Sequence, residues 1–236
     1  KLGGKISKWF IATSMIIFSL YLHLLAARTG LLVWYIFIVL WAGYISIKKN
    51  KLFGLSVVLI TSIFAFAAIT YVPTLKKRFE YVKYSFEMFQ QNDTTGQYSD
   101  IGRLISYDIS LKLIEKNPLL GVGCGDIMTE MKAGYRQYYP QVEEVRQLIP
   151  HNQFLIVATG CGIFALIFFS LWIFYPLRLT SLKRSNFFFT TVWLSVFIPI
   201  LFEPILEIQF GLFVFLFFLL LQMHQTSVEQ SNKHNN

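Results

Sequence analysis

The sequence predicts an all-α, polytopic membrane protein with a large helical loop on one side of the membrane. The chain is 55% hydrophobic and 17% aromatic, and 24 of its 236 residues are phenylalanine. Such a bias is usual where long apolar runs cross a bilayer. Basic residues flank these runs, and one polar stretch, 74–150, is far too long to be a simple connector.

Six apolar runs are candidates to cross a bilayer, which takes a helix of about 17–25 residues, although the fifth and sixth runs are short. Pro199 and Pro204 are expected to distort the fifth run near its end. The predicted organisation has three helices in 1–73, an outer loop in 74–151, three helices in 152–223 and a disordered polar tail in 224–236. The six runs are Trp9–Ala27, Gly30–Ile47, Leu52–Val72, Gln153–Leu177, Phe187–Phe202 and Ile208–Met223.

The chain has a net charge of +8, and the position of the basic residues indicates how the chain is oriented in the membrane. The stretch 74–150 holds ten basic and ten acidic residues and is neutral. The excess charge lies around the apolar runs, in "KLGGKISK", "KKNK" and "RLTSLKR", and short basic loops of this kind face the cytoplasm. The sequence therefore places 74–150 outside and the tail inside, and it predicts no nucleic-acid partner.

The outer loop has two stretches with helical spacing of apolar residues. The first, "LKKRFEYVKYSFEMFQ", predicts an amphipathic helix on the membrane surface, with the apolar positions Leu75, Phe79, Val82, Phe86 and Phe89. After a turn-rich break, "QNDTTGQYSD", the stretch "IGRLISYDISLKLIEK" predicts a second helix that ends at Asn117-Pro118. Its predicted apolar positions are Leu104, Tyr107, Leu111 and Ile114.

The stretch "NPLLGVGCGD" contains Gly121, Gly123 and Gly125. It departs from a dinucleotide-binding fingerprint because no strand precedes it, so we interpret it as a turn that lets two backbones approach closely. Cys124 and Cys161 fit no metal or redox spacing. Both are interpreted as structural, with Cys161 as a free thiol that behaves as a small hydrophobe.

Two arginines are candidate phosphate ligands at the outer face. Arg28 interrupts an apolar hairpin, where it could equally snorkel to lipid phosphates. Arg103 lies on the second loop helix and could instead pair with Asp100, Asp108 or a lipid headgroup. Guanidinium groups stay charged and bind phosphate oxygens in a bidentate manner, which suits a phosphorylated substrate.

His151 is the candidate catalytic residue, because it stands at the mouth of a predicted membrane helix and an imidazole exchanges protons near neutral pH. The alternative interpretation is a helix cap or interface residue. Asn152 is expected to orient His151 or to cap the helix. Glu203 and Glu207 could balance the arginines, orient a substrate or belong to a solvated turn. No second histidine lies near enough for metal spacing, so no metal site is predicted.

The order of these motifs resembles the O-antigen ligase and polymerase superfamily of bacterial envelope glycan enzymes (the Wzy/WaaL type). The resemblance is carried by an arginine that closes an apolar helix, "GRLISYDISLKLIEKNPLLGVGCG", and a later "HNQFL" with "TGCGIF" after it. It covers about residues 10–222, and the ending "FEPILEIQFGLFVFLFF" resembles the closing hairpin of Bacteroidetes members. The chain is then expected to be the C-terminal half of a member, without several N-terminal helices.

The resemblance implies a GT-C-type membrane glycosyltransferase in the bacterial inner membrane. It implies transfer of a glycan from undecaprenyl diphosphate to an acceptor hydroxyl of a glycan or of lipid A-core at the periplasmic face. The family's membrane-edge arginine matches Arg28, its loop arginine matches Arg103 and its catalytic histidine matches His151. Tyr107 stands where members often have tryptophan. No cofactor and no metal are implied, and membrane lipid is the surrounding partner.

Two other classes of function compete with a transferase. A flippase or transporter of a lipid-linked oligosaccharide needs polar groups along a path through the whole membrane, whereas the ionisable residues here lie near the outer edge. A structural membrane subunit with a sensor loop would explain the loop but not the ordered motifs. The sequence therefore favours the enzyme and does not distinguish a ligase from a polymerase.

Overall fold

The computed structural model describes residues 5–48, 50–91, 99–179 and 186–234, and every regular element in these ranges is helical. The predicted break "QNDTTGQYSD" and the basic loop "RLTSLKR" fall largely outside these ranges. The chain divides into two compact units, 1–83 and 84–236. The helices are α1 Lys5–Leu25, α2 Arg28–Lys48, α3 Lys51–Tyr71, α4 Pro73–Gln90, α5 Ser99–Lys116, α6 Ile127–Tyr138, α7 Gln153–Leu179, α8 Asn186–Ile200 and α9 Gln209–His234.

Within the described ranges, three helices are long and apolar enough to cross a membrane: Arg28–Lys48, Lys51–Tyr71 and Gln153–Leu177. The other three predicted spans correspond to shorter apolar helices over Trp9–Leu25, Phe189–Ile200 and Gln209–Leu221. An all-helical membrane protein is therefore the fold class. The predicted number of six crossings stays a prediction.

Small residues hold α2 and α3 together in the first unit. Ala42 is fully buried, and a Cβ atom added at Gly54 would lie 2.6 Å from the carbonyl oxygen of Ala42 and would also collide with Ser46. Close backbone approach through small residues is how helices associate in lipid, where burial of apolar side chains gives no advantage.

The core of the outer loop lies between α5 and α6 in the second unit. Gly134 lets α6 approach closely, since an added Cβ would lie 2.4 Å from Cγ2 of Ile109. The predicted apolar face of α5 is wrong by about one position, because Leu104 and Leu111 are exposed. The stripe that packs against α6 repeats every four residues and consists of Ile101, Ile105, Ile109 and Leu113.

Two further parts of the chain differ from the sequence prediction. The helix α6 was not predicted, because "IMTEMKAGYRQY" mixes polar residues with few large apolar ones. The backbone of α9 continues as helix through His234, over most of the predicted disordered tail. No glycine or proline follows Gly211, so nothing in the sequence of the tail interrupts the helix.

Candidate active site

The junction between the outer loop and α7 is held by two tyrosine side chains. The hydroxyl of Tyr107 donates to the carbonyl oxygen of His151 at 2.8 Å, and that of Tyr135 donates to the carbonyl oxygen of Leu148 at 3.2 Å. Burial raises the pKa of both phenols, so both remain neutral donors at working pH. Pro150, which lies between Leu148 and His151 in the chain, is fully buried. The backbone that presents His151 is thus fixed from two sides.

Asn152 caps α7. Its side-chain oxygen accepts a hydrogen bond from the backbone N–H of Leu155 at 3.1 Å, which satisfies one of the donors exposed at a helix start. Its amide nitrogen donates to the carbonyl oxygen of Leu201 at 3.0 Å. The same side chain therefore starts α7 and ties it to the turn after α8.

Gln153 makes a second connection to that turn. Its side chain is buried, donates to Oε1 of Glu207 at 2.9 Å and accepts from the backbone N–H of Leu206 at 3.1 Å. Glu207 therefore has a structural partner. The sequence analysis did not single out Gln153, although an amide as the first residue of a long apolar run was a signal for a buried polar contact.

His151 contacts Glu203 across the same junction. The imidazole Nδ1 lies 2.7 Å from Oε2 of the carboxylate. The turn that carries Glu203 is itself anchored, because the backbone N–H of Glu203 donates to the carbonyl oxygen of Pro199 at 2.9 Å. A carboxylate at Nδ1 holds the proton on that nitrogen, which leaves Nε2 with its lone pair available.

Arg103 forms a salt bridge to the second oxygen of Glu203. The side chains of His151, Glu203 and Arg103 are 23%, 34% and 30% exposed, so the cluster is partly open to solvent. A guanidinium has five N–H donors, so contact with one carboxylate oxygen leaves donors for a phosphate. Three of the predicted site residues are therefore brought together by contacts from α5, from the start of α7 and from the turn after α8.

Arg28 is the first residue of α2 and belongs to the first unit. The turn before it ends α1 with Ala26 at φ 49°, where the N–H groups of Ala26 and Ala27 bond back to His23 and Leu22. Such a turn closes a helix C-terminus and fixes where α2 begins. A cation as the first residue of a helix is unfavourable for the helix dipole, so helix stability does not explain this arginine.

A cavity of about 230 Å³ lies beside Arg28 in the first unit. Its walls are almost entirely apolar, and Arg78 from α4 is a second arginine among the lining residues. Arg78 was not predicted to take part in a site, because it lies within the run of three basic residues "KKR". The cavity is lined by His23, Ala26, Arg28, Leu31, Tyr35, Ala65, Ala68, Ile69, Leu75, Arg78, Phe79 and Val82.

The two cysteines form a disulfide, which corrects the interpretation of Cys161 as a free thiol. The bond joins the glycine-rich turn after α5 to α7 across 37 residues of sequence. Neither spacing nor composition of a two-cysteine chain reveals this pairing. Stable disulfides are usual in oxidising compartments, which is consistent with the predicted outer location of this end of α7.

The sequence matches the family model described as "O-Antigen ligase" over residues 13–170. The match covers Arg28, Arg103, His151 and Asn152, whereas Glu203 and Glu207 lie beyond it. No curated protein and no solved structure shows a significant match to the chain.

Proposed function

The chain belongs to the O-antigen ligase family, and we propose that it transfers a glycan from an undecaprenyl-diphosphate donor to an acceptor hydroxyl at the periplasmic face of the inner membrane. The observation that carries this proposal is the contact of Glu203 with both His151 and Arg103. It supports the proposal because it brings an imidazole and a guanidinium together at the start of an apolar helix.

The proposed base is Nε2 of His151. The acceptor hydroxyl oxygen attacks the anomeric carbon of the donor sugar, and its proton passes to Nε2. The bond between the anomeric carbon and the diphosphate oxygen breaks, and undecaprenyl diphosphate leaves. A positioned general base accelerates such a step by about 10²–10⁴-fold. Glu203 keeps the imidazole in the tautomer that accepts the proton.

The proposed role of the arginines is to balance the negative charge that builds on the departing diphosphate. Arg103 lies next to the base, and Arg28 shares its apolar cavity with Arg78. Each preorganised contact of this kind contributes on the order of a few kcal/mol to transition-state stabilisation. Because guanidinium groups take this role, the proposed reaction uses no metal and no cofactor. The alternative role of Arg28 is to snorkel to lipid phosphates.

Asn152 and Glu207 are proposed to act as supports. Asn152 fixes the start of α7 and its distance from Leu201, and Glu207 holds the same turn through Gln153. Neither contact involves the proposed reacting atoms. Their removal is therefore expected to loosen the alignment of His151 with Glu203.

The experiment that tests the function is the envelope glycan profile of the native host that carries His151→Ala in the full-length gene. Core with at most one repeat attached would indicate a polymerase. Bare core with long lipid-linked polymer would indicate a ligase. An unchanged profile, with the protein expressed and no second enzyme of the same activity, would reject His151 as the base.

A further inference from the structure

The helix α7 is interrupted at Gly162, which has φ 74° and ψ −171°. The break divides it into an upper segment, 153–161, and a lower segment, 163–179. Residues 117–123, here called the NPLL loop, pack against the break. A Cβ atom added at Gly162 would lie 2.2 Å from the carbonyl oxygen of Leu119, and one added at Gly121 would lie 2.5 Å from the carbonyl carbon of Gly160.

The NPLL loop supplies backbone hydrogen bonds at the break. The N–H of Val122 donates to the carbonyl oxygen of Thr159 at 2.8 Å, and that of Gly123 donates to Gly160 at 2.9 Å. The N–H of Ile163 donates to the carbonyl oxygen of Pro118 at 2.8 Å. An irregular backbone at membrane depth is tolerated where protein groups satisfy it in this way. The arrangement therefore meets the requirement for a break within a bilayer.

The length of the lower segment indicates the depth of the break. Residues 163–177 rise only about 22 Å at 1.5 Å per residue, whereas the hydrocarbon core is about 30 Å thick. About 20 residues counted back from Leu177 reach Ala158, which lies on the outer side of the break. With α7 oriented as in the proposed function, the NPLL loop then lies at the outer margin of the hydrocarbon core.

Two leucines of the NPLL loop point away from the rest of the protein. Leu119 is 57% exposed and Leu120 is 79% exposed. Ile163, Phe164 and Phe168 of the lower segment are exposed too, so the apolar side chains of the loop lie beside those of a membrane span. No charged residue occurs between Lys116 and Asp126. The surface at the break is thus suited to lipid chains.

We propose that the NPLL loop inserts Leu119 and Leu120 into the outer leaflet of the bilayer, beside the lower segment of α7. The disulfide between Cys124 and Cys161 holds the loop to the helix at this depth. The inserted loop sets the height of the catalytic cluster, because α7 begins at Gln153, five residues or about 8 Å outward of Ala158 at helical rise, and His151 directly precedes its cap, Asn152. The headgroup layer is about 5–8 Å thick on each side, so His151 stands at its outer edge, next to the diphosphate of a lipid-linked donor.

The test places a nitroxide spin label on Leu120→Cys in the full chain, kept oxidised and reconstituted in vesicles of phosphatidylethanolamine and phosphatidylglycerol. Collision of the label with oxygen is compared with collision with a water-soluble nickel chelate. Phe168→Cys is the lipid-facing reference, and Val145→Cys is the matched exposed control, since Val145 is also an exposed aliphatic residue of the outer loop. Leu119→Cys is the second variant if Leu120→Cys does not fold.

The proposal predicts an oxygen-to-nickel collision ratio at position 120 that is close to that at 168 and several-fold above that at 145. A ratio close to that at 145 would show the loop in water and overturn the proposal. A label that neither reagent reaches would show protein, not lipid, against the leucines and would also overturn it. The measurement reports depth, so an inactive transferase and a misplaced loop give separate results.

Discussion

The imidazole Nδ1 of His151 lies 2.7 Å from Oε2 of Glu203, a residue 52 positions later in the chain. The other carboxylate oxygen of Glu203 holds Arg103. One carboxylate thus contacts both the imidazole proposed as the base and the guanidinium proposed to bind phosphate. The three residues come from separate segments of the chain, so each can be substituted and assayed by itself.

Glu203→Gln is expected to lower the turnover number by on the order of 10²-fold or more, because the amide does not hold the Nδ1 proton as a carboxylate does. The apparent affinity for the lipid-linked donor should fall less than the turnover number, because the amide oxygen can still accept a hydrogen bond from Arg103. Steady-state kinetics with the purified full-length enzyme separate the two quantities. Glu143→Gln is the matched control, since Glu143 pairs with Arg146 on the loop surface, away from the cluster. Equal turnover of the Glu203 and Glu143 variants would contradict this role.

Arg28→Ala is expected to weaken binding of undecaprenyl diphosphate by about tenfold or more, the loss that goes with a charged hydrogen bond of about 1.5–3 kcal/mol. Arg78→Ala should weaken binding as well, because both arginines are lining residues of the same cavity. Equilibrium binding to the full-length protein in nanodiscs measures the effect. Arg136→Ala, on the exposed side of α6, is the control. Unchanged affinity in Arg28→Ala would show that Arg28 does not bind the diphosphate and would favour snorkelling to lipid phosphates.

Gly162→Ala is expected to destabilise the protein by about 2–4 kcal/mol, because the position has a positive φ and an added methyl group meets the backbone of Leu119. Gly125→Ala is the matched control, since a Cβ atom there has nothing within 4 Å. Thermal unfolding in detergent should show a clear fall in the midpoint for the first variant alone. Equal midpoints would mean that the NPLL loop does not pack against the break.

The two cysteines are expected to resist alkylation in the denatured protein until a reductant is added, because they are paired. A polymer-linked maleimide reports the result as a gel shift, and the chain has no other cysteine to complicate the assay. Protein from an oxidising compartment is required, since cytosolic thiols stay reduced. Labelling without reductant in such protein would contradict the pairing.

Much of the fold follows from local patterns in the sequence. The apolar runs predicted where the helices lie, and "NPLLGVG" was recognised as a place where two backbones meet, which the contact of Gly121 with Gly160 confirms. The run 153–177, however, was predicted as one continuous span, although Gly160 and Gly162 lie within it. A break in a membrane helix depends on the groups that satisfy its backbone. Here these groups belong to the NPLL loop, about 40 residues earlier in the chain.

The candidate site was less accessible to sequence reasoning. His151, Arg103 and Glu203 were each chosen for their chemistry and their position at the outer face, but their convergence is a tertiary property. The buried stripe of α5 was misplaced because Leu104 and Leu111 are as apolar as the isoleucines that form the core. Only the position of α6 shows which face of α5 is buried, and the short polar sequence of α6 did not predict a helix.

The central claim is that His151 takes the proton of the acceptor hydroxyl. The most direct measurement is the single-turnover rate of glycan transfer by purified full-length His151→Ala enzyme, with the donor bound at saturation. The account predicts a fall of about 10²–10⁴-fold while the affinity for the lipid diphosphate is retained. Transfer at the normal rate would contradict it and would leave His151 as a structural residue at the start of α7.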